Sequence, residues 1–296
     1  MRVTEKMIFQ STIAHMEAAR GNLAQAQNEV SSGVRVQHPA DDPVAAALSV
    51  GHTVDRARYL AVANAAQRAA DELGVADTAL GTIGNVANRA LSVATQFGND
   101  SYNAEDRASA AVEVDGLYDQ VIGLLNSQYD GRYIFAGYND KTAPFDGAGD
   151  YHGDDGVRTV EISPGLYQSA SLNANVIVKG SGGGVDMLQA LKDLAAALRN
   201  NDGEGIRAKV GDFNTVITQV TVGRTQAGMA QNAFQAAVTT ANAAASDERV
   251  KLGKLLDADI LDAATRLASA QYALSATLAA AAKTMSLSLV DKLPNR

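Results

Sequence analysis

Apolar positions recur at alternating spacings of three and four through residues 59–97, which is the repeat of one face of an α-helix. The members are Tyr59, Val62, Ala66, Ala69, Leu73, Ala76, Leu80, Ile83, Ala87, Ala90, Ala94 and Phe97, and none of them is charged. A seam sustained over more than five heptads is typical of a coiled coil or a long helical bundle. At about 1.5 Å per residue, one continuous helix over this range would be roughly 57 Å long.

A second seam with the same repeat follows Gly205, in the other half of the chain. Its members are Ile206, Val210, Phe213, Ile217, Val220, Arg224, Ala227, Gln231, Phe234, Val238 and Ala241, two of which are polar. A shorter helix is predicted over residues 104–128 from the spacing of Val114, Leu117, Val121 and Leu124. We therefore predict a mainly α fold whose body is a long antiparallel helical rod, or coiled coil, made from both chain halves.

Each end of the chain carries a single apolar stripe on a predicted helix. The stripe residues are Phe9, Ile13, Met16, Leu23 and Val30 near the start, and Ile260, Leu267, Leu274, Leu278 and Met285 near the end. A lone amphipathic helix cannot bury its own stripe. The two terminal helices are therefore expected to pair with each other, with other copies of the chain, or with both.

The first terminal helix is separated from the next helix by residues 33–43. Gly33 can take the left-handed conformation just past a helix C-terminus. Asp42 can cap the next helix by accepting a backbone N–H, and Pro43 suits its first position. We expect these three residues to form an interdomain hinge. A solvated loop is the favoured interpretation of the polar residues between them, ahead of a binding site.

Residues 131–184 have a different pattern, in which short runs of β-branched and aromatic residues are bounded by Gly, Asp, Asn and Pro. RYIFAGY and RTVEISPGLYQSASLNANVIVKG are the clearest examples. Such runs predict short strands and turns. The segment GSGGG, which begins at Gly180, is interpreted as a flexible joint, and a helix is predicted from about Val185 to Asn200.

These patterns divide the chain into three predicted regions. Residues 1–40 and 250–296 form paired terminal helices, residues 41–130 and 200–249 form the helical rod, and residues 131–199 form a small β-rich insertion domain with a following helix. Both chain ends thus contribute to one region. The β-rich insertion is expected at the tip of the rod.

The composition of the chain argues against nucleic acid and membranes as its partners. The net charge is −8, and Lys and Arg are spread along the sequence, so no basic surface of the kind that binds nucleic acid is expected. The most apolar stretch, from Tyr272, is about half as long as a membrane span. The N-terminus lacks the apolar core of a secretory signal. We expect neither nucleic acid nor a membrane as a partner, and no cleaved signal peptide.

No group of residues in the sequence has the spacing of a catalytic or metal site. The chain has no cysteine, which excludes thiol nucleophiles, disulfides and thiolate metal sites. The nearest match to a calcium loop, DYHGDDGVRTVE from Asp150, has Asp155 where a glycine is needed and His152 at a ligand position. We interpret it as an acidic turn, and we expect no enzymatic activity and no cofactor.

At four places, in the same order, the sequence resembles the flagellar hook-filament junction proteins, a family also called hook-associated protein 3 or FlgL. The stretches are MRVTEKMIFQ, EVSSGVRVQHPADDPVAA, DGRYIFAGYNDKTAPFD and AATRLASAQYALSATLAAAAKTMSLSLVDKL. Flagellins share the terminal architecture and the SSG-x-R…DDP break. They usually continue with INSAKDD-A-AG and begin with an INTN-like segment. Because this chain has neither feature, the junction family is preferred.

The resemblance implies a structural adaptor of the bacterial flagellum. A member of this family is exported by the flagellar type III apparatus without signal cleavage and assembles outside the cell as a ring at the end of the hook. It joins the other hook-filament junction protein to flagellin, and a flagellar export chaperone shields its C-terminal helix before secretion. The alternatives are a flagellin and a secreted coiled-coil binding or scaffold protein that uses the β-rich insertion for recognition.

In this family the paired terminal helices form the inner core of a tubular assembly. The ten stripe residues at the two chain ends are therefore expected to form the assembly interface. We expect them to be poorly ordered in the isolated chain and to fold on assembly. Burying one such side chain contributes about 1.5–3 kcal/mol, so several together can offset the entropy lost on ordering.

Overall fold

A computed structural model describes residues 2–290, with the side chains of the terminal helices described at residue 7 and within residues 9–283. The helices are α1 (Arg2–Ser32), α2 (Pro43–Phe97), α3 (Ala104–Leu125), α4 (Ala174–Ile177), α5 (Met187–Arg199), α6 (Gly203–Leu256) and α7 (Ile260–Val290). The strands are β1 (Gln128–Tyr129), β2 (Arg132–Tyr133), β3 (Thr159–Ser163) and β4 (Leu166–Ser169). The predicted mainly α fold with a small strand region in the middle is confirmed.

The chain divides into two compact units. We call residues 1–57 and 244–296 the terminal unit, and residues 58–243 the central unit. The terminal unit contains α1, α7, the start of α2 and the end of α6. The central unit contains the rest of those two long helices, together with α3, α4, α5 and the four strands.

The two long seams predicted from the sequence line the core of the central unit, except that Arg224 of the second seam is exposed. Nine of the twelve positions of the first seam are buried, and the other three, Tyr59, Val62 and Phe97, are half-buried. Because the α2 face of this core is mostly alanine, it supplies little volume. Phenylalanine side chains of α6, Phe213 and Phe234, and the leucines of α5 belong to the same core and fill the remaining space.

A buried cation organises the end of the central unit where α2 stops. The Arg107 guanidinium, which belongs to α3, donates to the backbone carbonyls of Phe97 (3.0 Å), Asn99 (3.0 Å) and Asn201 (3.2 Å). The last carbonyls of a helix have no partner within the helix, and the negative end of the helix dipole favours a cation. Arg107 thus connects α3 to the end of α2 and to the turn before α6.

The strands form two separate antiparallel hairpins, and they are shorter than the sequence pattern indicated. Asp130 and Gly131, between β1 and β2, have φ angles of 50° and 70°, as a type I′ turn requires. The segment NANVI was expected in the strand region, and this prediction is wrong because its residues form α4. The Asn173 side chain accepts the N–H of Asn175 and caps this short helix.

The segment GSGGG is a closed turn. The N–H groups of Gly183 and Gly184 both donate to the carbonyl of Gly180. Gly180 has a φ of +66°, and a Cβ atom at this position would lie 2.6 Å from the backbone nitrogen of Val185. Gly180 therefore has a steric reason, because a side chain would not fit there, and the segment is an ordered turn where a flexible joint was predicted.

The break between α1 and α2 has the predicted local geometry. Gly33 has a φ of +69°, and its N–H donates to the Glu29 carbonyl. The Asp42 carboxylate accepts the N–H of Ala45 at 3.0 Å, and α2 begins at Pro43. The left-handed glycine and the aspartate cap are therefore confirmed, whereas the hinge role of these residues stays a prediction.

This break pairs with the connection between α6 and α7, within the terminal unit. The N–H groups of Arg35 and Val36 donate to the Leu256 carbonyl, and the N–H of Ala258 donates to the Gly33 carbonyl. The Arg35 side chain donates to Asp42 and to the carbonyl of Leu255. The start of the loop between α1 and α2 is therefore packed on a neighbouring segment, whereas residues 37–41 are exposed, as the predicted solvated loop requires.

Replacing Arg107 with alanine is expected to lower the free energy of unfolding of the central unit by about 2–4 kcal/mol, because three backbone carbonyls lose their buried donor. Urea denaturation followed by circular dichroism measures this change. Arg89→Ala removes an exposed pair with Glu113 and serves as the control, with a midpoint expected close to that of the wild type. Equal effects of the two substitutions would contradict the role assigned to Arg107.

The pKa of the Asp42 carboxyl lies below its ordinary value of 3.8, because the carboxylate accepts the Ala45 N–H and also pairs with Arg35. Such a group stabilises the folded state above its unfolded pKa, and the contribution is lost as pH falls through the lower folded pKa. We therefore expect the Ala45 amide to keep its protection from hydrogen exchange at pH 3.8 and to lose it only at a lower pH, as the folded carboxyl titrates. Asp42→Asn keeps a cap that does not titrate, so a similar loss in that variant would assign the effect to another group.

Candidate assembly interface

The terminal helices α1 and α7 pack against each other as an antiparallel pair. Among the described residues of these helices, the buried side chains are four alanines and one carboxylate: Ala19, Ala26, Ala263, Ala281 and Glu29. Helices that meet through alanine approach closely, but they remove little apolar surface from water. This contact is therefore weak for helices of 31 residues each.

Of the stripe residues predicted from the sequence, none with a described side chain is fully buried. Phe9, Val30, Ile260 and Leu278 are exposed, and Ile13, Met16, Leu23, Leu267 and Leu274 are half-buried. Met285 belongs to α7, but its side chain lies outside the described residues. The side chains that these helices fully bury are thus small or charged, and the described bulky apolar residues of the stripes remain partly or fully exposed.

The structure adds apolar residues that the sequence analysis did not assign to an interface. They are Met7 on α1, Val44, Leu48, Val50 and Val54 in the first turns of α2, Val250 on α6, and Leu261 and Tyr272 on α7. Nineteen large apolar side chains are exposed in the part of the chain with described side chains, and twelve of them lie in the terminal unit. The i, i+4 spacing of apolar residues at the start of α2 is visible in the sequence. It has the same repeat as the buried seam that follows, so the sequence does not distinguish the exposed residues from the buried ones.

The terminal unit carries no net charge. Its residues include twelve Lys and Arg and twelve Asp and Glu, so the whole net charge of −8 belongs to the central unit. Net charge opposes the close approach of identical surfaces. Long-range repulsion between terminal units is therefore minimal, and the charge of the central units favours solubility.

Two buried carboxylates in the terminal unit are paired with cations. Glu248 on α6 accepts from Lys251 at 2.6 Å, and its other oxygen lies 2.6 Å from His52 Nδ1. The hydrogen bond from Lys251, followed by that with His52, holds the pKa of the Glu248 carboxyl below its ordinary value. Glu29 lies 3.2 Å from Arg266 Nη1. The pKa of the Arg266 guanidinium is raised, chiefly by its hydrogen bond to Asp262.

The residues described by the structure include no group of three or more His, Asp or Glu that could hold a metal ion. Asp154, from the calcium-loop match, accepts the backbone N–H groups of Tyr138 (2.9 Å) and Gly156 (2.7 Å). These two bonds lower the pKa of its carboxyl, and they organise the stretch as a turn. Within the described residues, the helices contain no segment of sufficient length and hydropathy to span a membrane.

Comparison with known proteins identifies two related families. A family model described as the bacterial flagellin N-terminal helical region matches residues 3–140. Flagellar hook-associated protein 3 of Salmonella typhimurium is 30% identical over 212 residues, which is 67% of this chain and 67% of that protein. The flagellin of Listeria monocytogenes is 23% identical over 88% of this chain and 87% of that protein.

A solved structure shares the fold. The crystal structure of Bacillus cereus FlgL superposes with a TM-score of 0.54 at 20% identity, and the match covers 69% of this chain and 99% of that chain. Of the two relatives compared, the hook-associated protein has the higher identity. The family predicted from the four sequence stretches is confirmed. The chain belongs to the flagellar hook-associated protein 3, or FlgL, family.

Proposed function

We propose that this protein is the structural adaptor that joins the flagellar hook to the flagellin filament, and that copies of it assemble as a ring through the terminal unit. Its partners are then other copies of itself, the other hook-filament junction protein and flagellin. A flagellar export chaperone binds it before type III export without signal cleavage, and its place is the extracellular flagellum. No step of this function is catalytic. Family membership supports the position in the flagellum.

The observation that carries the assembly proposal is the placement of bulky apolar residues in the terminal unit. Twelve large apolar side chains are exposed there, while the helices that carry most of them meet through alanine. An exposed apolar surface of this kind is typical of a protein–protein contact. Because the terminal unit has no net charge, the electrostatic repulsion between the terminal units of two copies is low. Both features favour a surface that other subunits cover.

Two other functions predict different behaviour. A freestanding coiled-coil scaffold would bury the bulky stripes of α1 and α7 within its own chain, and the described stripe residues are half-buried or exposed instead. A flagellin would form the filament itself, so a strain without it would lack the filament subunit. A strain without the adaptor would still produce flagellin, but the flagellin would not attach to the hook. Gene deletion in the source bacterium therefore separates the adaptor from the flagellin.

Replacing both Leu274 and Leu278 with aspartate is expected to abolish assembly and to preserve the central unit. Each leucine contributes about 1.5–3 kcal/mol when a neighbour buries it, and the charged replacement loses that contribution. A deletion strain should build hooks without filaments and release flagellin into the medium. The wild-type gene should restore filaments, and the double variant should not. Electron microscopy of the cells and assay of flagellin in the medium measure the outcome.

A matched control places the same charges on the central unit. Val112→Asp with Val222→Asp changes two exposed apolar positions outside the terminal unit, and this variant is expected to restore filaments. Circular dichroism of both purified variants checks that helix content is preserved. Filaments in cells that carry the leucine variant, or their absence with the folded control variant, would show that the terminal unit is not the assembly surface.

A further inference from the structure

The first turns of α2 are inverted in polarity. The side that faces the chain is small or polar, because Ala45 is buried, Ser49 and His52 are half-buried, and His52 Nδ1 lies 2.6 Å from Glu248. The opposite side is apolar and exposed, and it spans about 160° of the helix circumference at about 100° per residue. An amphipathic helix normally buries its apolar side. We call this exposed side the α2 face, and its members are Val44, Ala47, Leu48, Val50, Gly51 and Val54.

The α2 face offers little to a polar or charged partner. Residues 43–54 contain no Asp, Glu, Lys or Arg. The hydroxyls of Ser49 and Thr53 donate to carbonyls of their own helix, that of Ala46 at 2.8 Å and that of Ser49 at 2.7 Å. The surface that covers this face is therefore expected to be apolar and uncharged as well.

The middle of the α2 face is a hole. Ala47 and Gly51 lie one helical turn apart along its centre, and the larger valines and the leucine of the face lie on both sides of them. A Cβ atom added to Gly51 would meet nothing within 4 Å. Small residues between larger ones form the kind of hole that receives a large side chain from a neighbouring helix.

One other stretch of the chain has the matching properties. Residues 267–282 of α7 also contain no Asp, Glu, Lys or Arg, and Tyr272 within this stretch is 79% exposed. The hydroxyls of two neighbouring serines donate to carbonyls of α7. Tyr272 is therefore a single large side chain on a small, uncharged surface. The residues one helical turn from Tyr272 are exposed and small, and they are Ala268, Ser269, Ser275 and Ala276.

The two uncharged stretches also agree in length and in the charges at their ends. At about 1.5 Å per residue, the stretch of α2 is roughly 18 Å long and that of α7 roughly 24 Å. The residues that bound the first are Asp42 and Asp55, and those that bound the second are Arg266 and Lys283. Ends of opposite sign favour the approach of two surfaces. Within one chain both surfaces are exposed, so neither covers the other.

We propose that the α2 face of one copy receives Tyr272 and the small residues around it from α7 of a second copy. This contact joins two different surfaces, so it repeats from copy to copy and can close a ring, whereas a contact between identical surfaces stops at a dimer. The proposal rests on the proposed function. It names the surface on which α7 of the next copy becomes ordered during assembly.

Filling the hole tests the contact without adding charge. Gly51→Leu favours the helix and enlarges the apolar surface, so nonspecific hydrophobic association predicts no loss of assembly. The proposal predicts roughly tenfold fewer filaments in the deletion strain, because leucine occupies the space that Tyr272 needs. Gly51→Leu combined with Tyr272→Ala exchanges the large and the small partner and is expected to restore most filaments.

Gly116→Leu on α3 is the matched control. Gly116 is also an exposed helical glycine with nothing within 4 Å of an added Cβ atom, and this variant should restore filaments like the wild type. Normal filament numbers with Gly51→Leu would overturn the proposal, as would an equal loss with Gly116→Leu. Circular dichroism of the purified variants checks helix content. Should Gly51→Leu lose helix content, the crosslink described next decides alone.

A photo-crosslinking amino acid at position 50 identifies the neighbour of the α2 face. Flagella of the deletion strain that carries this variant are irradiated, and the products are analysed by immunoblotting and peptide mass spectrometry. The expected product is a dimer of this chain in which position 50 is joined to the α7 peptide that contains Tyr272. A dimer joined elsewhere, an internal crosslink to α7, or a product that contains a different flagellar protein would overturn the proposal.

The proposed function fails in a different way. Failure of the wild-type gene to restore filaments would refute the adaptor role, whatever the crosslink shows. The contact itself is then tested by the same crosslink in the purified full-length chain at high concentration, where a dimer through Tyr272 is expected. Absence of that dimer would refute the contact independently of the adaptor role.

Discussion

An amphipathic helix with one neighbour can bury only part of its surface, and among the described side chains α1 and α7 fully bury four alanines and Glu29. This arrangement brings the backbones close together but removes little apolar surface from water. The bulky residues of both helices, such as Phe9 and Leu278, remain exposed or half-buried. Other copies or partners can therefore supply the larger part of the burial energy available to these helices.

The central unit has a complete core of its own. Its alanine seam on α2 packs in one cluster with Phe213, Phe234 and the leucines of α5, and Arg107 satisfies the carbonyls at the end of α2. This unit also carries the net charge of the chain, whereas the terminal unit has none. The two units thus have the properties expected of a stable body and of an assembling surface, respectively.

Much of this structure could be predicted from the sequence, because helical periodicity is a strong local signal. The long seams, the left-handed Gly33 and the Asp42 cap each depend on residues close together in the chain. Family membership could also be predicted, because it depends on the order of four stretches. The sequence predicted the stripes of the terminal helices but left open whether they cover each other.

Other features depend on residues far apart in the chain, and periodicity does not reveal them. The alanine contact of α1 with α7 becomes evident only when the two helices are placed together. Glu29 lies outside the predicted stripe, and its partner Arg266 is more than 200 residues away. The exposed start of α2 has the same apolar repeat as the buried part of that helix. A repeat alone does not show which of its residues have a neighbour.

Amide hydrogen exchange on the dilute, full-length chain and on assembled material tests the central claim most directly. If the terminal helices obtain most of their burial from other molecules, amides of α1 and α7 should exchange much faster than those of the central unit in the isolated chain. The same amides should become protected on assembly. Equal protection of the terminal and central helices in the isolated chain would contradict this account.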